Sequence, residues 1–178
     1  MNKLEFIHFI YPHAATAIGH QHGWLVRWAI AKAAQECGWS INNVLIQQCN
    51  NCLGIKAGVW DERKGMWRVF RGIKPNDVVW LQDSIADGRD DGGAYSVPWR
   101  KFKSLVECFA EFVRMLNDRD PYTPWRNSVV GDFENVYSAS TEGHALEVLE
   151  NIHAVTAEMQ EAGIVDSKGR IFHKLTLA

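Results

Sequence analysis

A carboxylate stands where a helix would be expected to turn an apolar residue inward. The run Leu25 to Trp39, LVRWAIAKAAQECGW, has helical spacing, and Leu25, Ala29 and Glu36 share almost one azimuth, flanked by Val26, Ala33 and Cys37. Glu36 therefore projects from the apolar side. Gly38 follows at the place of a left-handed C-terminal residue, so Glu36 falls in the last turn, where open carbonyls and the macrodipole disfavour negative charge. Burial and the dipole would both favour the protonated form. A carboxylic acid that keeps its proton near neutral pH can donate it to the leaving oxygen of a glycosidic bond. The alternative is an edge glutamate that swings into solvent or pairs with Lys32 one turn earlier.

Other residues invite chemistry less strongly. Cys49-Asn50-Asn51-Cys52 has the spacing of a redox or zinc pair, yet no βαβ pattern precedes it and no second Cys-x-x-Cys exists. The Asn-Asn pair before Gly54 reads instead as a loop whose amides fix local backbone or reach into a groove. His20 and His22 are loop polarity rather than a metal pair, since no further ligands lie at metal-site spacing nearby. Asp77, Asp83, Asp87, Asp90 and Asp91 lie among turn signals, and the spacing of a calcium loop is absent. No metal or cofactor is expected.

The elements that must position these residues read as mainly helical. Residues 3 to 19 carry Leu4, Ile7, His8 and Tyr11 on one stripe, with Pro12 as a kink or a second start and Gly19 as the end. Ser40 caps a short turn through Asn43 to Ile46. From 57 to 103 the texture changes to β-formers broken by glycines, a small irregular β-hairpin lobe. A helix follows from Ser104 to about Asn117, with Ser104 and Glu107 in a capping-box relation and Leu105, Phe109, Phe112, Val113 and Leu116 on its apolar face. Asp120 to Pro124 is a break, and Trp125 to Val136 is weakly helical. Tyr137 then precedes a polar link, Ser138 to Thr141. The last long helix runs from about Glu142 to Ala162, presenting Leu146, Leu149, Ile152, Val155, Thr156 and Met159, and stops at Gly163. The fold class is α+β, mainly α, with residues 1–178 as a single domain.

Composition narrows the partners. A chain of 178 residues can bury a core without disulfides, and eight Trp exceed what that core requires, as in proteins that line a sugar or peptide groove. A formal net charge of −2 gives no basic footprint for nucleic acid or an acidic membrane surface. No run approaches transmembrane length. The opening residues lack the h-region and cleavage site of a signal peptide, and four cysteines are too few and too irregularly spaced for a disulfide framework, so cytoplasmic synthesis with free thiols is expected; a monomer is expected as well.

Two motifs in order resemble a known family. Ala33-Ala34-Gln35-Glu36-Cys37-Gly38-Trp39, then Asn50-Asn51-Cys52-Leu53-Gly54-Ile55-Lys56, is similar to the paired signature of the bacterial glucosaminidases, glycoside hydrolase family 73. Pro12 with Ala14, Trp99 to Ser104, and Tyr137 stand where that family has further matching elements. The resemblance implies a lysozyme-like fold, with a β-lobe closing one side of a cleft. It also implies endo-β-N-acetylglucosaminidase action on the glycan strands of peptidoglycan. On that mapping Glu36 is the general acid, Tyr137 lines the subsite at the cleaved bond, and Asn50 and Asn51 shape the groove floor. Trp39 and Trp80 are among the groove-lining aromatics. Cys37, Ser40 and Cys52-Leu53 depart from the family pattern without removing chemistry. The second acid is less clear: Asp83 is the nearest candidate, with Asp87 and Glu62 behind it. Without one near Glu36, the substrate's own N-acetyl group would serve as nucleophile. A muramidase, a lytic transglycosylase and a noncatalytic wall-binding or assembly protein are the alternatives. A missing leader fits a phage lysin or a toxin delivered by a secretion machine to the cell wall or periplasm.

Overall fold

The computed structural model describes residues 2–83, 95–118 and 144–165. The elements there are α1 (Lys3–Ile18), α2 (Gly23–Cys37), α3 (Val44–Cys49), β1 (Gly58–Asp61), β2 (Met66–Val69), β3 (Val78–Asp83), β4 (Tyr95–Arg100), α4 (Leu105–Asp118) and α5 (His144–Glu161). The mainly helical α+β reading holds. The expected weak helix at Trp125 to Val136, Tyr137, the link before α5, and Asp87, Asp90 and Asp91 all lie outside the described residues.

Helix α1 starts at a capping box: the Glu5 N–H donates to Asn2 Oδ1 at 2.8 Å and the Asn2 N–H to Glu5 Oε2 at 3.0 Å. Pro12 neither breaks the helix nor starts a new one. The buried stripe differs from the expected one. Phe6, Ile10, Ala14 and Ile18, spaced four apart, go inward with Ile7 and Tyr11, whereas His8 is exposed. The i, i+4 row of apolar residues prevails over the row that would have buried an imidazole.

Helix α2 is the central element. Trp28 to Ala34 are all buried, Lys32 included, with α1 on one side and α5 on another, and Trp28 stacks on Phe112 of α4 at 5.0 Å between centroids. It ends at Cys37, and Gly38 takes the left-handed place expected of it. Gly38 adopts φ 59° and Trp39 φ 57°, and the Trp39 N–H donates to the Ala34 carbonyl at 3.0 Å. Left-handed backbone comes freely to glycine but is strained for tryptophan. In α4, Ser104 Oγ accepts from the Glu107 N–H at 3.3 Å, while the Glu107 carboxylate takes the Lys103 N–H at 2.7 Å, one residue before the expected reciprocal bond.

The lobe from 57 to 103 consists of antiparallel pairs, β1 with β2 and β3 with β4, each a separate two-stranded sheet. A small core of Leu45, Cys49, Val97 and Trp99, with Trp67, Val79 and Leu81 against it, joins them to α3. Between α3 and β1, residues 50–57 are sewn to their surroundings. The Ala57 N–H donates to the Pro98 carbonyl at 2.7 Å, the Arg100 N–H to Ile55 at 3.0 Å and the Phe102 N–H to Cys49 at 2.8 Å.

Asn51 completes that seam from inside. Its side chain is fully buried, donating to the carbonyls of Ile55 at 2.8 Å and Arg100 at 3.0 Å and accepting the Ile55 N–H at 3.0 Å. Asn51→Ala strands these backbone groups without water, and at about 1 kcal/mol for each lost bond we expect roughly 3 kcal/mol less stability. Urea denaturation measures it; a loss below about 1 kcal/mol would contradict this role.

Candidate active site

Glu36 is the next-to-last residue of α2, and its side chain is 28% exposed. Two contacts hold the carboxylate. Lys32 Nζ lies 3.1 Å from Oε1, from a side chain that is 1% exposed. On the other side stands Gly54, with φ +62°, where any added Cβ would run into Oε2 and come within 3.0 Å of the carboxylate carbon. No residue but glycine fits that place without moving Glu36. The apolar setting expected for Glu36 is thus replaced on one side by a buried ammonium. The partner considered only as an alternative is present, and the carboxylate still reaches the surface.

Gly54 owes its position to the seam described above, because Asn51 ties residues 51 and 55 to β4 on either side of it. Asn50 ends α3 with φ 48° and donates to the Phe102 carbonyl at 3.0 Å. Both amides are committed to backbone, so they shape the surface next to Glu36 by holding its loop. Trp39 is half-buried, edge-on to Phe6 at 5.7 Å with Lys3 Nζ 5.0 Å above its ring, so it is braced by α1. Trp80 on β3 is 49% exposed, opposite Pro98. Trp60 and Trp67 meet edge to face at 5.9 Å across β1 and β2. Lys56 Nζ sits 5.4 Å from the Trp67 ring and 5.8 Å from that of Trp99, an aromatic seat that spacing alone did not suggest. Asp83 is the last residue of β3, in register with Tyr95. Its side chain, like Tyr137, lies outside the described residues.

The cysteines separate. Cys49 belongs to the small core of the lobe, whereas Cys52 lies in the main core with Cys37 and Cys108. The Cys37 thiol donates to the Cys52 carbonyl at 3.3 Å, and the Cys108 thiol approaches Asn51 Oδ1 at 3.9 Å. Cys-x-x-Cys is therefore two packing residues facing opposite ways. Burial, and then the neighbouring Glu36 charge, push the Cys37 thiol far up; burial does the same to Cys52. Among the described residues no group of three or more His, Cys, Asp or Glu could hold a metal ion, and no helix is long and apolar enough to cross a membrane. His20 instead meets the Tyr11 hydroxyl at 3.1 Å from Nδ1.

A helical body with a glutamate at the end of its central helix and a β-lobe beside it defines a lysozyme-like fold. The chain shares this fold with solved peptidoglycan hydrolases. The peptidoglycan hydrolase from Sphingomonas sp. A1 superposes with TM-score 0.64 at 16% identity, over 89% of this chain and 94% of that one. The glycoside hydrolase domain of FlgJ from Salmonella typhimurium gives 0.63 at 18% identity, over 92% and 94%. The catalytic domain of the autolysin Auto from Listeria monocytogenes gives 0.58 at 18%, over 88% and 86%. No family profile and no curated sequence matches the chain.

The thiol arrangement is open to direct measurement. All four cysteines are buried and unpaired in disulfides. Ellman's reagent at pH 8 should find essentially no reactive thiol in the native protein and all of them after unfolding. Rapid native labelling at Cys37 or Cys52 would show that the core behind Glu36 is not closed.

Proposed function

We propose that the protein is a peptidoglycan hydrolase, an endo-β-N-acetylglucosaminidase that cuts the glycan strand of the bacterial cell wall with Glu36 as general acid. The observation that carries this reading is the Glu36 carboxylate, partly exposed at the end of α2 and fixed against Gly54. The likeness in fold to proteins described as peptidoglycan hydrolases supports the substrate class.

In this reading Glu36 gives its proton to the glycosidic oxygen as the bond from the anomeric carbon to that oxygen breaks. Positive charge builds on the sugar, and water completes the hydrolysis. A carboxylate at Asp83 or the substrate's N-acetyl group meets that charge, and Tyr137 lines the subsite at the cleaved bond. Trp80, exposed on the lobe, and Trp39 supply apolar surface for sugar rings, while Asn50 and Asn51 keep the loop beneath them in place. Binding several sugars contributes the orientation and ring distortion that a single acid does not. The chain works as a monomer, without metal or cofactor, at the cell wall or periplasm.

Glu36→Gln should lower the release of reducing ends from purified peptidoglycan by roughly 10²–10⁴-fold while the protein stays folded. Gln can still accept a hydrogen bond from Lys32, and thermal melting checks that the fold survives. Wild-type lysis by this variant would refute the assignment. Borohydride reduction and mass spectrometry of the fragments should show N-acetylglucosamine at the reducing end. N-acetylmuramic acid there would indicate a muramidase, its anhydro form a transglycosylase, and glycan retention without new ends a binding protein.

A further inference from the structure

Lys32 lies in the most enclosed part of the molecule. Its neighbours on α2, Ala29, Ile30, Ala31, Ala33 and Ala34, are fully buried. A lysine at such a place ordinarily runs its methylenes along the apolar surface and lifts the ammonium into water. Here the whole side chain stays inside, and its head meets Glu36 Oε1. Desolvating an ammonium is costly, and an apolar side chain of similar length would fill the same space without that cost. Packing therefore gives no reason for the charge. Glu36 does: Oε1 faces the ammonium and Oε2 faces Gly54, so the carboxylate has one orientation set from both sides.

We propose that Lys32 is a positioning residue for Glu36, holding the carboxylate against Gly54 from beneath. The inference rests on Glu36 being the general acid. Lys32 is enclosed on α2 and acts on the reaction through its neighbour. Water leaves the site when a glycan binds, and the attraction between ammonium and carboxylate grows as the surrounding dielectric falls. Among the described residues, the groups set against the carboxylate are Lys32 and the adjacent Cys37 thiol on α2 and the backbone of Gly54. From α1, Lys3 reaches Trp39 two residues beyond the helix end. Among the described residues the cation paired with Glu36 is Lys32.

The test compares Lys32→Met with Lys32→Arg on soluble peptidoglycan fragments, reading kcat, KM and the melting temperature. Lys32→Met should fold with an unchanged or higher melting temperature. Its kcat at the optimum should fall at least tenfold, with KM within threefold of wild type. Lys32→Arg, which keeps the charge, should restore kcat to within threefold of wild type. The proposal is overturned if Lys32→Met keeps the wild-type kcat. It is overturned equally if that variant loses its fold, since the lysine would then be a structural residue, or if KM alone changes. Failure of the functional reading looks different, because Glu36→Gln would then lyse normally whatever Lys32 does.

Discussion

The close approach of Gly54 to Glu36 constrains everything around it. A main-chain atom lies where a side chain would otherwise be, and it presses on the one carboxylate that the fold leaves part-exposed at the end of a buried helix. That contact demands two things of the chain. Helix α2 has to stop at once after Glu36, and the loop bearing Gly54 has to be rigid. The left-handed pair Gly38 and Trp39 meets the first demand, at the expense of strain at Trp39. The buried hydrogen bonds of Asn51 meet the second. Trp39 is held in its unfavourable conformation by Phe6 and Lys3, so the far end of α1 also contributes to the site.

The same loop joins two cores that otherwise have little in common. Cys49 closes the small core beneath β3 and β4, and three residues later Cys52 closes the large helical one against Cys37 and Cys108. Between them the chain crosses from the lobe to the helical body, with Asn50 and Asn51 spanning the crossing. Thiols suit this junction because they pack as small apolar groups and their weak donors can still reach a carbonyl or an amide. The lobe is thereby fixed to the end of α2 by packing on both sides of the loop, which is what a site divided between a helix and a lobe needs if its parts are to keep their distance.

Much of this was legible in the sequence because it rests on local rules. The capping residue Ser104, the glycines that stop α1, α2 and α5, and the change to β-formers after residue 57 are all matters of backbone preference. They place the elements to within a residue or two. Which face of α1 turned inward was not legible, because a stripe through Leu4 and His8 and one through Phe6 and Ile10 satisfy the same period. Only burial of the imidazole separates them. At the candidate site, the azimuth of Glu36 and the pairing of Asn51 with Asn50 singled these residues out. The ambiguity of Asn51 between groove and backbone was settled by partners about fifty positions away, Arg100 and Cys108, which no local pattern encodes. Gly54 was visible as a turn residue, but its reason, a carboxylate from another element, is a contact in space.

Lys32 shows most clearly why such a site is only partly readable. Along α2 it is one helical turn from Glu36, and on a solvent-facing helix that spacing denotes a surface ion pair worth a few tenths of a kcal/mol. The spacing is the same here and the meaning is different, because the lysine is enclosed and the glutamate stays at the rim. Exchanging a buried ion pair for apolar side chains is often neutral or stabilising, by about 1–4 kcal/mol. A helix built for stability alone would therefore carry two apolar residues at these positions. What the pair supplies in exchange is direction: a carboxylate that emerges from the core on one side of a glycine, with its counter-charge enclosed beneath it. The asymmetry of burial within the pair, 1% against 28%, leaves the outer partner as the one that another molecule can reach.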